Sequence, residues 1–146
     1  MILSANQLFS DDQAITATAI STNVIDLGVR GTPYDAAAAL IGDVGKGTPV
    51  PVLIQVTEDF ATLTSLTVTL ETDAAATLDD APVVLATEVI AVADLVAGKQ
   101  THMQFLPNGV TGRYLGVRYT VTGSDASAGK ITAGITMGNQ TNVHGG

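Results

Sequence analysis

The feature that most constrains this chain is a two-residue alternation of apolar and polar side chains in stretches rich in Val, Ile, Leu and Thr. Residues 64–72 alternate Leu66, Val68 and Leu70 with polar residues, and residues 130–137 alternate isoleucines with Thr and Gly. A period of two places one set of side chains on a core face and the other in solvent, which is typical of half-buried β-strands. The sequence therefore predicts an all-β fold with little helix.

Eight segments carry this signal, separated by Gly, Asp, Asn and Pro turns. The predicted strands span residues 14–20, 22–27, 50–57, 64–72, 83–92, 100–106, 113–122 and 130–137. Pro51 indicates an edge position for its strand, because proline cannot donate a hydrogen bond to the ladder. The last two segments could pair as a hairpin. Eight short strands predict a single-domain antiparallel β-sandwich over residues 1–146.

The long connection at residues 28–49 admits two interpretations. Asp35, an alanine-rich run and Gly42 could form the N-cap, body and end of a short helix over 35–41. The flanking Gly, Pro and Thr residues favour instead a long irregular surface loop. The sequence leaves both interpretations open. A second short turn, at residues 93–97, is predicted to join two strands.

Both ends of the sequence contain little that demands burial in the core. Chain termini are usually mobile unless a partner holds them. We therefore expect residues 1–8 to form an N-terminal arm that could reach a neighbour. Residues 138–146 are predicted to form a flexible tail.

Charge and cysteine content argue against several classes of function. Six Lys and Arg against 14 Asp and Glu give a formal net charge of −8. The basic residues are scattered, which disfavours nucleic-acid binding. The chain has no cysteine, which excludes disulfides, thiolate nucleophiles and Cys-based zinc sites. No run approaches the roughly 20 apolar residues of a membrane span, and the first residues do not resemble a secretory signal, so we expect neither membrane association nor export.

No group of residues has the spacing of a catalytic, cofactor-binding or metal site. His102 lies in a predicted strand and His144 near the end of the sequence, and neither has neighbours at a zinc-site spacing. Acidic pairs occur in predicted loops, at Asp11 with Asp12, Glu58 with Asp59, and Asp79 with Asp80. Turn chemistry explains these pairs better than catalysis or calcium binding. We therefore predict no enzymatic activity, no metal and no cofactor.

Five longer stretches of the sequence carry a family resemblance. They are LFSDDQAITATAISTNVIDLG at 8–28, GKGTPVPVLIQVTEDF at 45–60, LTVTLETD at 66–73, ADLVAGKQ at 93–100 and RYLGVRYTVTGSDASAGKITAGI at 113–135. Together they resemble the jelly-roll cement, or decoration, proteins of tailed phages such as a Bordetella podophage. The resemblance implies a jelly-roll topology and a place on the outer surface of an icosahedral shell, after synthesis in the host bacterial cytoplasm. Residues 28–44 are the stretch least like that family.

The same resemblance implies the binding partners. These are the major capsid protein, whose subunit contacts a cement protein stabilises, and further copies of the chain itself in a homo-oligomer, either dimer or trimer. The resemblance assigns no capsid-binding residues. The alternative is a β-sandwich module of a phage tail fibre that recognises a carbohydrate or receptor. Such modules stack sugars on exposed aromatic rings, so the absence of Trp makes this alternative less favourable without excluding it.

Overall fold

The structure, a computed structural model, describes residues 3–40, 42–44, 46–101 and 103–138. Its strands are β1 (Leu3–Ala14), β2 (Ala19–Ile20), β3 (Ile25–Asp26), β4 (Val52–Asp73), β5 (Val83–Ala91) and β6 (Tyr114–Thr136), with a 3-10 helix at Val92–Asp94. All six strands belong to one sheet, and every pairing is antiparallel. The prediction of an antiparallel all-β fold is confirmed.

Two unusually long strands, β4 and β6, form the centre of the sheet. Strands usually have about 3–10 residues, whereas β4 has 22 and β6 has 23. The two strands pair with each other along almost their whole lengths, but the register shifts repeatedly between Val56 and Ser65 of β4. Such irregularities bend a strand and increase its twist. Each long strand is therefore divided into two regular halves by an irregular middle.

The irregular middle of β6 requires glycine at two positions. Gly129 has a φ of +133°, and a Cβ there would lie 2.3 Å from the ring of Phe60. Gly123 has a φ of +94°, and a Cβ there would lie 2.4 Å from Oγ1 of Thr64. A residue with a side chain is strained at positive φ and would collide with these neighbours. Both glycines therefore permit the close approach of β6 to β4 where the register shifts.

The halves of the long strands correspond to the short strands predicted from sequence. The predicted strands at 50–57 and 64–72 merge into β4, and those at 113–122 and 130–137 merge into β6. The predicted hairpin between the last two is therefore wrong. The reason is that the intervening residues do not reverse the chain direction, and Gly123 and Ala128 among them pair with Leu63 and Ala61 of β4. A period of two marks buried positions, but it does not show whether the chain turns between two patterned segments.

Shorter segments flank the long pair on both sides. On one side, β1 pairs with the second half of β6, while β2 and β3 pair with its first half. On the other side, β5 pairs with residues 65–72 of β4. Residues 99–101 and 104–106 follow residues 50–56 through isolated bridges and backbone hydrogen bonds. Each half is thus four segments wide, although the strands form one hydrogen-bonded sheet instead of two. The jelly-roll topology stays a prediction.

The N-terminal strand begins earlier than the sequence predicted. Residues 3–8, expected to form an arm, lie in β1, where Leu3 pairs with Thr136. Residues 14–20, expected to form a strand, contain only the two-residue β2 after β1 ends. Residues 3–7 are exposed at the edge of the sheet, so they need no apolar alternation. The signal used to find strands is therefore missing from this one.

Other sequence predictions have mixed outcomes. The strand at 83–92 is confirmed as β5, and the turn at 93–97 overlaps the 3-10 helix. The edge position inferred from Pro51 is wrong, because β4 is a central strand and the carbonyl of Pro51 accepts a hydrogen bond from Thr136. The segment at 22–27 shortens to β3. Of the predicted tail at 138–146, all but the first residue lies outside the described part of the chain.

One apolar cluster lies on the inner face of the sheet and includes both of its halves. Its members include Val52, Ile54 and Val56 from the first half of β4, Leu66, Val68 and Leu70 from the second half, and Leu115, Val117 and Tyr119 from β6. Leu95, Met103, Leu106 and Val110 from the connection between β5 and β6 complete the same cluster. Because one core takes side chains from both halves, the irregular middle turns the two inner faces toward each other.

A polar network fastens β1 to this core. The Ser10 hydroxyl donates to Oε1 of Gln13 at 2.7 Å and lies 2.9 Å from the hydroxyl of Tyr119. Nε2 of Gln13 donates to the carbonyl of Ile20, and the Thr22 N–H donates to Oε1 of Gln13. Tyr119 is fully buried, and this burial raises the pKa of its hydroxyl. The network therefore joins β1, β2 and β6 through side chains.

Candidate interaction surface

Two of the acidic pairs singled out in the sequence each contribute a carboxylate to an ion-pair cluster. Oδ2 of Asp12 and Oε2 of Glu58 each lie 3.2 Å from Nζ of Lys130. A hydrogen bond from Thr57, followed by the contact with Lys130, lowers the pKa of Asp12. The two carboxylates in turn raise the pKa of Lys130. The group is an exposed ion-pair cluster that links β1, β6 and β4.

Two of the three acidic pairs lie in strands, and their predicted loop positions are wrong. Asp11 and Asp12 belong to β1, while Glu58 and Asp59 belong to β4. They lie in irregular stretches of those strands, where the register shifts. Asp79 and Asp80 do lie in a connection, between β4 and β5, where Asp79 accepts a hydrogen bond from Thr77. In the described residues no group of His, Cys, Asp and Glu could hold a metal ion, and His102 and His144 lie outside those residues.

A partly buried ion pair between Arg118 and Glu71 was not predicted from the sequence. Nε of Arg118 lies 3.0 Å from both carboxylate oxygens of Glu71, whose side chain is only 4% exposed. Nη2 of Arg118 also donates to the carbonyl of Leu78 in the connection after β4. Arg118 and Glu71 are 47 residues apart, and strand register is not readable from periodicity, so no sequence signal paired them. The pair positions the connection that carries Leu78.

The most exposed part of the described chain is a loop formed by residues 31–40, which we call the protruding loop. All ten of its residues are exposed, and Tyr34 at its tip is fully so. A turn closes where the Ala36 N–H donates to the carbonyl of Pro33, with Asp35 at a φ of +62°. The N–H of Leu40 donates to the carbonyl of Gly31 and closes the loop.

This geometry decides between the two interpretations of residues 28–49. An N-cap residue usually has an extended backbone, whereas Asp35 is left-handed, and residues 35–40 contain no helix. The irregular loop is therefore confirmed and the helix over 35–41 is wrong, with Ile41 itself outside the described residues. The alanine run favours a helix in isolation, but the exposed run has no apolar face to pack, and short unpacked helices are marginal.

The base of the protruding loop is fixed by two charged side chains. Nη2 of Arg30 donates to the carbonyl of Gly112 at 3.0 Å and to that of Val110 at 3.4 Å. The carboxylate of Asp43 accepts hydrogen bonds from the N–H groups of Gly109 and Val110, at 3.0 to 3.2 Å. Both ends of the loop are thus attached to residues 109–112. The tip is exposed while its base is held.

The strand that leads into the loop is held by an ion pair. Arg113 donates two hydrogen bonds to the carboxylate of Asp26, at 2.8 and 2.7 Å. These bonds, with a further one from the Gly28 N–H, lower the pKa of Asp26 to about 2. The Arg113 guanidinium lies 5.0 Å from the ring centre of Tyr114. The entry to the loop is therefore positioned by charges outside the apolar core.

A second exposed apolar surface lies along β5. This strand is the last in the order β1-β6-β4-β5. Val83, Val84 and Val89 are all more than half exposed. Two exposed surfaces therefore stand out in the described chain: the protruding loop, and the outer edge of β5.

Comparison with known proteins places the chain in a phage context. The family model described as Bbp16 matches residues 9–135. That range contains the whole protruding loop and almost all of the sheet, including the stretch at 28–44 that looked least familiar in sequence. No curated protein matches the chain. Among the described residues, no helix has the length and apolar character needed to cross a membrane.

Proposed function

The chain belongs to the Bbp16 family, whose name denotes a Bordetella phage protein, and from this premise we propose that it is a capsid cement protein. It binds the outer surface of the icosahedral shell and stabilises contacts between major capsid subunits. Its partners are the major capsid protein and further copies of itself, and its location is the virion. It needs no cofactor, catalyses no reaction and binds neither nucleic acid nor membrane.

The observation that carries this proposal is the protruding loop on its fixed base. Holding the backbone of one residue in a single conformation costs about 1–2 kcal/mol. A loop of ten exposed residues recovers little of this cost by burial within its own chain. Arg30 and Asp43 nevertheless hold both of its ends, and Tyr34, a residue type enriched at the centres of interfaces, points into solvent. Such an arrangement supports a role in binding a protein surface.

A cement protein of this kind stabilises the shell by linkage. A protein that binds the assembled shell, and not its separated subunits, stabilises the shell by a free energy that grows with the logarithm of its concentration relative to its dissociation constant. Several contacts held on one oligomer multiply the effect, because the second contact forms at a high local concentration. Neither step requires a reactive side chain, which is consistent with a surface built from a loop and a sheet.

The test is binding to purified shells of the source phage. We expect wild-type protein to be present at one copy per major capsid subunit, or a simple fraction of it, by quantitative mass spectrometry of purified particles. Replacing an interface anchor by Ala typically costs about 2 kcal/mol or more, which weakens binding roughly 30-fold. We expect Tyr34→Ala to weaken binding to empty shells by about this factor. Met137→Ala is the matched control, because Met137 is 84% exposed beyond the opposite end of β6.

Two outcomes would count against the proposal in different ways. Absence from purified particles, or only a few copies per particle, would exclude a cement protein. Equal binding by wild-type protein and Tyr34→Ala would leave the cement role in place but exclude the protruding loop as its anchor.

The tail-fibre recognition module remains the second candidate, and one observation favours it. The ring of Tyr34 is fully exposed, and exposed aromatic rings are where sugars stack. This candidate predicts glycan binding by the isolated protein that Tyr34→Ala abolishes, together with no binding to shells. Shell binding without glycan binding would exclude it.

A further inference from the structure

The outer edge of β5 has the properties of a pairing site. In the described chain β5 pairs with β4 alone, and no further strand follows it in the sheet. A strand at a sheet edge presents N–H and C=O groups that can pair with another strand. β5 has nine residues, a length of about 30 Å. This is enough for a regular ladder with a second strand.

The side chains of β5 do little to prevent such pairing. Natural sheets protect their edges with Lys, with Pro, with bulges or with very short strands. Residues 83–91 contain no Lys and no Pro, and Glu88 is their one charged residue. A single register shift lies near the start of the strand. Val89 is 65% exposed and Val84 is 51% exposed, so apolar surface borders the open edge.

Charge indicates which partner this edge fits. Two copies of a chain with a net charge of −8 repel each other unless they meet where acidic side chains are few. The neighbouring β4 positions that pair with the exposed face of β5 are Ser65, Thr67 and Thr69, which carry no charge. Glu71, the next such position, is neutralised by Arg118. Within the strand the exposed face of β5 carries no acidic side chain, because Glu88 pairs with Val68 on the opposite face, and Asp79, Asp80 and Asp94 lie beyond the strand ends. A second copy can therefore approach this face of β5 without acidic side chains meeting on it.

Symmetry favours β5 over the opposite edge as the partner strand. An antiparallel pair of identical strands is related by a two-fold axis, and such a contact closes after two copies. Pairing of β5 with β1 of another copy would instead extend without limit. β1 is poorly suited to that pairing, because it has three register shifts and exposes Asp11 and Asp12.

From these observations we propose that the outer edge of β5 is the contact between two copies of this chain, with the two β5 strands antiparallel. The proposal deepens the proposed function by naming the contact of its homo-oligomer, but its test needs only the isolated protein. An interface of one strand pair is smaller than the roughly 800 Å² per partner of a standard complex. We therefore expect a dissociation constant near micromolar.

This contact would also bring two protruding loops onto one particle. A Cβ at Gly109, in the base of the loop, would lie 3.4 Å from Cδ2 of Leu85 on β5. The loop base and the β5 strand are thus neighbours, and pairing of two β5 strands presents two loops from one dimer. Two linked loops bind a repeating surface more tightly than either loop alone.

Because the chain has no cysteine, single cysteines can report the contact directly. We would place one cysteine at each exposed β5 position beyond the register shift, as T87C, V89C and A91C, and oxidise each variant alone and in pairwise mixtures. When two β5 strands pair antiparallel, the residue numbers of every directly facing pair add up to the same total. Only facing residues have Cβ atoms close enough to form a disulfide. We expect covalent dimers only for positions that satisfy one sum. A17C, in the exposed segment between β1 and β2, is the control that should stay monomeric.

Sedimentation provides the independent measurement. Wild-type protein should shift from monomer to dimer over about 1–100 µM, and Val89→Lys should raise the dissociation constant at least tenfold. Circular dichroism confirms that the variant is folded, and Val89→Thr, which keeps the branched shape, should dimerise more strongly than Val89→Lys. A wild-type protein that stays monomeric, disulfides that obey no constant sum, or a Val89→Lys dimer of unchanged affinity would each overturn the proposal. Loss of shell binding by Tyr34→Ala with dimerisation intact would leave this contact standing, so the two proposals fail separately.

Discussion

The two edges of this sheet are built in opposite ways. β1 pairs irregularly with β6, with three register shifts, and is fastened by side chains of Ser10, Gln13 and Asp12. β5 pairs regularly with β4, with one shift, through its backbone and the buried Ile90. The β1 edge is irregular and polar, and the β5 edge is more regular and apolar.

At the β1 edge, the same side chains anchor the strand to the sheet and protect it from pairing with another strand. Side chains that fold back onto the sheet stabilise β1, and they also disturb the regular spacing that an added strand would need. β5 depends on few such side chains, so its exposed residues are free to change without loss of stability. The stability of the β1 edge should therefore be sensitive to single substitutions, whereas that of the β5 edge should be tolerant.

The largest expected effect is at the apolar anchor of β1. Phe9 is fully buried in the core, and Phe→Ala changes in cores typically cost about 3–5 kcal/mol. We expect Phe9→Ala to lower the free energy of unfolding by this amount in urea denaturation followed by circular dichroism. Val89→Ala, on the exposed face of β5, should change it by less than about 0.5 kcal/mol. A loss below about 1 kcal/mol for Phe9→Ala would mean that β1 is not anchored through the core.

An effect of intermediate size is expected when a polar side chain is removed, and the loss of stability should be larger on β1 than on β5. Gln13 takes part in hydrogen bonds with Ser10, Ile20 and Thr22. Gln13→Ala leaves partly buried groups unpaired, which costs about 1–3 kcal/mol. Thr87→Ala is the matched change on β5, where the side chain is exposed, and it should cost less than about 0.5 kcal/mol. Both variants should be measured at low protein concentration, so that dimerisation does not contribute. Equal losses in the free energy of unfolding would contradict the proposed difference between the two edges.

The smallest effect is expected from acid titration beside β1, where β3 joins β6. Arg113 first, and the Gly28 N–H second, lower the pKa of Asp26 to about 2, below the value of about 3.9 for an unfolded chain. A lowered folded-state pKa adds stability that is present above about pH 4 and is lost as the pH falls toward 2. Asp26→Asn should therefore flatten the fall of the melting temperature between pH 4 and 2, by a small amount because the pair is exposed.

Carboxyl carbon NMR provides a direct check of this last prediction, and it should show Asp26 titrating near pH 2. Titration of Asp26 near pH 4 would show that Arg113 does not hold it in solution.

The buried positions of the sheet could be predicted from sequence, while its connections could not. Alternation located Leu66, Val68 and Leu70, because a half-buried strand must repeat every two residues. The same reasoning took the glycine-containing stretch of β6 as a turn. Gly123 and Gly129 instead let the strand continue past close neighbours on β4, and glycine is common in both situations.

For the candidate interaction surfaces, too, local features could be predicted from the sequence, whereas contacts between residues far apart in the sequence could not. The length and composition of residues 28–49 indicated an irregular loop, but its attachment through Arg30 and Asp43 depends on residues 109–112, far away in sequence. The open edge of β5 depends on strand order, which periodicity does not contain.

The continuity of β4 and β6 has a mechanical consequence. A sandwich of two separate sheets can be pulled apart by parting its side chains, because only loops join the layers. Here two strands of the one chain cross from one half to the other, paired with each other on both sides of the bend. Tension along this pair acts in shear on hydrogen bonds that lie perpendicular to the strands, so they resist together instead of opening one by one. A molecule that bridges two subunits with β4 and β6 along the direction of tension would carry the load through the backbone of these strands. Deformation would then be confined to the short irregular stretch between the halves.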